Sequence, residues 1–207
     1  MDALGKLFGS KDIVKVLRLF LFNPKAPFDV VDIRKRTRVP QNVVRRELSM
    51  LLSINFVKRR PFYKSVEHKR GKKTVSIRKR FSGYVLNENF EYLPGMYELV
   101  AGPHTIGTKT ILRRLSNAGR LKLLILTGAF IQRFEGPLDL LIVGERFRRK
   151  ALLSAIRDVE SELGREIRYA VLSPHEFAYR LSVRDRLIRD TLDYEHETVI
   201  DRLGVGV

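Results

Sequence analysis

Val44-Arg45-Arg46-Glu47-Leu48-Ser49-Met50-Leu51-Leu52-Ser53-Ile54-Asn55-Phe56-Val57 sets Val44, Leu48, Leu51 and Leu52 at i, i+4, i+7 and i+8. That spacing stacks four apolar side chains on one face of a helix. Pro40 opens the helix at a position where a missing N–H costs nothing. Asn55 closes it, being tolerated in the left-handed conformation that a helix end favours. The opposite face carries Gln41, Asn42, Arg45, Arg46 and Ser49, with Glu47 the one acid among them.

Upstream, Lys11–Phe22 (KDIVKVLRLFLF) has apolar residues at 13, 14, 16, 17, 19, 20 and 21, a helix buried over a wide face. Ser10 is its N-cap, and Asn23-Pro24 stops it. Val30–Arg36 reads as a short second helix that begins near Asp29 and runs into Thr37. Downstream, Val57–Val66 and Thr74–Leu86 are rich in β-branched and aromatic residues. They flank His68-Lys69-Arg70-Gly71-Lys72-Lys73, a charged hairpin tip with Gly71 available for the turn. The order is helix, helix, helix, basic β-hairpin.

Charge follows the same division. The chain has 207 residues and a formal net charge of +17. Residues 1–86 hold 22 Lys and Arg against 6 Asp and Glu, whereas residues 87–207 hold 18 against 17. A general solubility charge would be spread along the chain, so this distribution predicts a polyanion-binding domain joined to a nearly neutral one. Residues 57–84 alone carry eleven cations against Glu67, a density that repels itself unless it meets a phosphate backbone.

The stretch from Val44 to Val57 resembles the recognition helix and exit turn of bacterial winged-helix regulators of the ArsR/MarR type. Those show a Val, then Leu four and seven residues on, a turn residue, and a hydrophobic pair entering the wing. Asn55 stands here where glycine is commoner. The resemblance covers about residues 10–86 and implies that the start of the third helix enters the major groove of DNA. Gln41, Asn42, Arg45, Arg46 and Ser49 are then the base-facing candidates, since Arg pairs bidentately with guanine and Asn or Gln with adenine. Lys58, Arg59, Arg60, Lys69, Arg70, Lys72, Lys73, Arg78 and Arg80 are the wing candidates, with Arg70 and Lys72 best placed for the minor groove. The wing is expected to set affinity and the helix sequence preference. RNA is the alternative polyanion, but its readers display exposed aromatics, and alternation directs some of Phe62, Tyr63, Phe81 and Tyr84 into the core.

Residues 87–118 read as a connector, with Pro94-Gly95, Ala101-Gly102-Pro103-His104 and a helix over Thr108–Asn117. Beyond it come a strand at Leu121–Leu126, a turn at Thr127-Gly128, a strand at Leu138–Val143 and a helix at Lys150–Leu163 ended by Gly164. A strand at Ile167–Leu172 follows, then a capped helix from Ser173-Pro174-His175-Glu176 and another from about Arg184 to Leu192. Leu124-Ile125-Leu126-Thr127-Gly128-Ala129-Phe130 and Leu138-Asp139-Leu140-Leu141-Ile142-Val143-Gly144-Glu145 resemble the core of the minimal nucleotidyltransferase family, over about residues 119–203.

That family holds two Mg²⁺ ions with three carboxylates. Here Asp139 matches one of them, Pro137 stands at another, and Arg168 falls where the third belongs. One carboxylate cannot hold two divalent ions, so no metal, cofactor or catalysis is expected, and Asp139 is expected to cap or pair locally. Gly128, Asp139, Arg148 and Arg149 are kept as candidate ligand-binding residues. The run Arg146-Phe147-Arg148-Arg149-Lys150 ahead of a helix is suited to grip an anion.

The expected fold class is α+β, an N-terminal winged helix-turn-helix (1–86) plus a C-terminal small α/β nucleotidyltransferase-like domain (119–207). The expected function is a sequence-specific regulator that binds double-stranded DNA as a homodimer, pairing two half-sites. Its second domain would serve dimerisation, a small-molecule effector or a protein partner. The alternatives are a nucleotidyltransferase acting on nucleic acid or protein, and a toxin–antitoxin component. The longest uncharged stretch around the main apolar segment, Leu123–Gln132, is too short to span a membrane. Without a signal peptide or any Cys, the chain reads as cytoplasmic, and its four His show no paired metal-ligand spacing.

Overall fold

The computed structural model describes residues 3–70, 73–101, 106–133 and 135–206, with side chains left aside at 68–70, 73–75 and 101. Among the described residues the chain is mixed α+β, with nine α-helices and two small sheets. It divides into two compact units, Met1–Ala101 and Gly102–Val207.

The first unit begins with α1 (Ala3–Leu7) and α2 (Lys11–Phe22). The Ser10 hydroxyl accepts from the Asp12 N–H at the start of α2, and Asn23 caps its end. Asp29 accepts from the Asp32 N–H to start α3 (Val30–Thr37), and Pro40 precedes α4 (Gln41–Ser53). Asn55 has φ +61°, the left-handed conformation that turns the chain out of α4 into the strands. β1 (Val57–Arg70) and β2 (Lys73–Leu86) form an antiparallel ribbon in continuous register from Val57↔Leu86 to Arg70↔Lys73.

Both strands are longer than their apolar composition suggested. Lys69, Arg70 and Lys73, expected in the hairpin tip, stand in the ladder, because backbone pairing continues whatever the side-chain charge. Lys72, also expected at the tip, lies outside the described residues. Pro61 is tolerated within β1 because both strands of a two-stranded ribbon are edges.

Residues 87–101, expected in the connector, include α5 (Leu93–Ala101), which belongs to the first unit. Its Leu93, Met96, Tyr97 and Val100 follow helical spacing and pack against the core of Ile13, Leu17, Phe20, Ile33, Val44, Leu48 and Leu51. Two long-range bonds fasten α5 to α2. The Tyr97 hydroxyl donates to the Leu21 carbonyl at 2.8 Å, and Arg18 Nε to the Val100 carbonyl at 3.0 Å.

The second unit runs α6 (Thr108–Ser116), β3 (Arg120–Leu126), a 3-10 turn at Gly128–Phe130, β4 (Leu140–Glu145), α7 (Arg149–Leu163) and β5 (Tyr169–Leu172). It finishes with α8 (Pro174–Ser182), α9 (Arg186–Asp193) and β6 (Glu197–Asp201). The sheet order is β5-β4-β3-β6, with β4 and β5 parallel across α7 and the other pairs antiparallel.

The two central strands are buried on both faces, hence their uninterrupted apolar runs. Leu124, Leu126, Leu140 and Ile142 meet Ile111, Leu115, Ile156 and Val159 on one side. Leu123, Ile125, Leu141 and Val143 meet Phe177 and Ile188 on the other. β4 begins two residues later than its hydrophobicity suggested, because the Asp139 and Leu140 N–H groups both turn to the Arg168 carbonyl. β6, half-buried and polar in part, had no apolar run to announce it.

Candidate nucleic-acid interface

On α4 the apolar face closes over the core, leaving Gln41, Asn42, Arg45, Arg46 and Ser49 all exposed on the helix's outer surface. Glu47 does not break up this surface. Its carboxylate is buried and accepts from Arg46 Nε at 3.1 Å and Nη2 at 2.6 Å. Arg45 makes no ion pair among the described residues, so its guanidinium keeps all its donors.

A further basic group precedes α4. Arg34 and Lys35 in the last turn of α3, and Arg38 just after it, are exposed, and Arg36 lies over the Phe28 ring at 5.2 Å. The run Arg34-Lys35-Arg36-Thr37-Arg38 is visible in the sequence as a basic cluster one turn from Pro40.

The register of β1 and β2 sorts the ribbon's cations into two sets, because directly opposed residues share a face. Arg59, Arg78 and Arg80 lie on one face with exposed Tyr63, over whose ring Arg78 stacks at 5.2 Å. Lys58, Arg60 and Lys79 lie on the other, with Phe62 and Phe81. The ribbon therefore cannot present all its cations to one straight duplex. Of Lys69, Arg70 and Lys73 only the backbone is described.

Lys64 serves a different purpose. Its Nζ donates to Asp29 Oδ2 and Asp32 Oδ1, both at 2.8 Å, tying β1 to the start of α3. Burial pushes the Asp29 carboxyl up, but Lys64 and the backbone N–H groups of Asp32 and Val31 outweigh it and hold the group below its ordinary value. Burial likewise lowers Lys64, and the two carboxylates outweigh it, leaving the ammonium above its usual range. Lys64→Met is expected to raise the Asp29 pKa and to cost about 1–2 kcal/mol near neutral pH. The folded-state value of Asp29 is lowered, so this contribution is full above about pH 4 and disappears as pH falls through that value. An NMR titration of the Asp29 carboxyl alongside urea unfolding checks both.

The second unit's candidates fall into two separate places. Gly128 and Asp139 are in contact, with Gly128 at φ +53° and a Cβ there only 2.1 Å from Asp139 Oδ1. Asp139 precedes β4 whereas Arg148 and Arg149 follow it, so the six-residue strand, about 20 Å long, separates the pairs. They do not form one ligand site. Arg148 donates through Nη2 to the Asn117 carbonyl at 2.6 Å, and Arg149 is exposed at the start of α7.

Asp139 is fully buried and fully partnered. Oδ1 accepts from the Ala129 N–H at 2.8 Å and Arg168 Nη2 at 3.1 Å. Oδ2 accepts from the Arg168 N–H at 2.7 Å and its Nε at 3.2 Å. Four donors occupy the roughly four lone-pair positions of a carboxylate. Burial raises the Asp139 pKa, but the Arg168 side chain and the two N–H groups prevail and leave it lowered.

Among the described residues, no three His, Cys, Asp or Glu are grouped to hold a metal ion. No described helix is long and apolar enough to cross a membrane. In comparisons with known proteins, no family model, curated protein or solved structure matches the chain.

Proposed function

We propose that the first unit is a winged helix-turn-helix that binds double-stranded DNA in a sequence-dependent way, and that the chain is a transcriptional regulator acting as a homodimer. The observation that carries this reading is the outer face of α4. Gln41, Asn42, Arg45, Arg46 and Ser49 are exposed together, the one acid beside them is turned inward, and a strongly basic antiparallel ribbon follows directly. Side chains of these types read base edges in the major groove, and ribbon cations hold the backbone. The Arg34–Arg38 cluster adds backbone-positioning charge beside the same helix.

For the second unit we propose a nucleotidyltransferase-like sheet whose role is accessory. Arg168 supports this, because it saturates Asp139 from the position where the resemblance calls for a third carboxylate. A cation at that place opposes Mg²⁺ instead of sharing it.

Selection of bound sequences from a random duplex pool tests the central claim. The wild-type protein should enrich a motif, and Arg45→Ala should lose about 1–3 kcal/mol of discrimination at one base pair while keeping nonspecific binding. A pool with no enriched motif would remove sequence recognition from the reading.

A further inference from the structure

We propose that the second unit carries its own surface for the phosphate backbone of double-stranded DNA, at the end of its sheet where β3 begins and β4 and β6 finish. The inference rests on the DNA reading of the first unit and assigns the second a part in the same complex. The second unit's modest excess, 18 Lys and Arg against 14 Asp and Glu, hides a strong polarity. Arg120 stands at the start of β3, Arg146, Arg148, Arg149 and Lys150 follow β4, and Arg202 follows β6, all six exposed. The turn after β6 adjoins the start of β3, since the Arg202 N–H donates to the Lys122 carbonyl at 2.7 Å.

The acids at this end are Glu145, Asp201 and, in the first turn of α8 where β5 finishes, Glu176, which pairs with Arg180. Asp201 is turned onto its own chain, accepting from the N–H groups of Leu203, Gly204, Val205 and Gly206. Arg120, Arg146, Arg149, Lys150 and Arg202 form no ion pair among the described residues.

This end is also held firmly. Phe147 is wedged against two glycines, where a Cβ at Gly119 would come within 2.4 Å of its ring and one at Gly144 within 2.7 Å. Arg146 is kept at φ +54°, a conformation disfavoured for a residue with a Cβ, and thereby leads the chain around that wedge. The first turn of α7 holds no acid, so its positive dipole end adds to the same field. Cations outnumber acids at this end, which disfavours the folded unit in isolation and favours a polyanion laid against it. The opposite end of the sheet is mixed, with Glu135, Glu195 and Glu197 beside Arg133 and Arg168.

The full-length protein carrying Arg146→Asn, Arg149→Gln and Lys150→Gln tests the proposal against duplexes of two lengths. About 12 base pairs is roughly one helical turn and accommodates one winged helix; about 40 leaves room for a second contact. On the long duplex the slope of log K against log salt should become shallower by about 2–3, with binding at about 0.1 M salt weakened roughly 10- to 100-fold. On the short duplex the loss should be smaller, because fewer phosphates are left for the second unit to meet. Thermal melting is expected to be unchanged or slightly raised, since all three side chains are exposed and their like charges repel one another.

Wild-type binding by the variant at both lengths overturns the proposal. An Arg59→Gln, Arg78→Gln, Arg80→Gln variant measured in parallel separates this from failure of the DNA reading. If it weakens binding while the second-unit variant does not, only the present inference falls. If the wild-type protein binds neither duplex, both fall.

Discussion

Asp139→Ala is expected to destabilise the second unit by about 2–4 kcal/mol. The substitution removes the acceptor from four donors. The Ala129 and Arg168 N–H groups lose their partner inside the fold, and each such orphan costs about 1–3 kcal/mol. The guanidinium of Arg168 is 46% exposed and regains water, which holds the total at the lower end of the range for breaking a buried pair.

Arg168→Met acts from the other side, leaving a carboxylate that is 0% exposed with two backbone donors in place of four. Its pKa should then rise, because the burial that Arg168 now outweighs is opposed by less. A double-mutant cycle by urea unfolding should give a coupling well above that of a surface ion pair. A coupling below about 0.5 kcal/mol would mean that Asp139 and Arg168 do not brace the unit. The pH dependence has a definite sign. The folded-state pKa of Asp139 is lowered, so its contribution is full above about pH 4 and lost as pH falls through that lower value; Asp139→Asn should flatten this limb.

Binding to duplex DNA is expected to fall about 10³- to 10⁵-fold between roughly 50 and 200 mM salt, as for proteins that neutralise 6–10 phosphates. The ribbon's geometry makes this sharper than a statement about net charge. Arg59, Arg78 and Arg80 occupy one face and Lys58, Arg60 and Lys79 the other, while Lys64 is committed to Asp29 and Asp32. A duplex lying along one face meets one set of three. Neutralising that set should flatten the salt slope by about 2–3, and neutralising the other should change it by less than about one. Equal effects from the two sets would exclude a duplex held along one face, and unchanged slopes in both would remove the strands from the interface.

Much of the first unit was legible because its signals are local. The capping of α2 by Ser10, the capping of α3 by Asp29 and the left-handed Asn55 each depend on a few neighbouring residues. The outer face of α4 was equally readable, since four apolar positions at helical spacing assign the remaining side chains to the outside. α5 was not, because Pro94-Gly95 masks a nine-residue helix fastened by bonds to Leu21 and Arg18, more than seventy residues away. The division of the ribbon's cations also escaped. Alternation within each strand is visible, but which alternate set joins which across the ribbon depends on a register that composition does not contain.

The sequence by itself determined that the chain separates a strongly basic part from a nearly neutral one, and that the basic part holds the three successive helices α2, α3 and α4 followed by two strands, with the short α1 ahead of them not legible. It determined as much because charge, helical periodicity and turn chemistry are properties of residues close together in the chain. Only the tertiary structure decided what those charges can do. It turned Glu47 inward, committed Lys64 to α3, saturated Asp139 with Arg168, and placed Arg148 and Arg149 at the far end of β4 from Gly128. It also gathered Arg120, Arg146, Arg149, Lys150 and Arg202 at one end of a sheet from three strand termini. Each of these follows from pairing and packing between residues distant in sequence. Only once the chain has folded does burial settle which charges must find a partner inside and which remain free to meet one from outside.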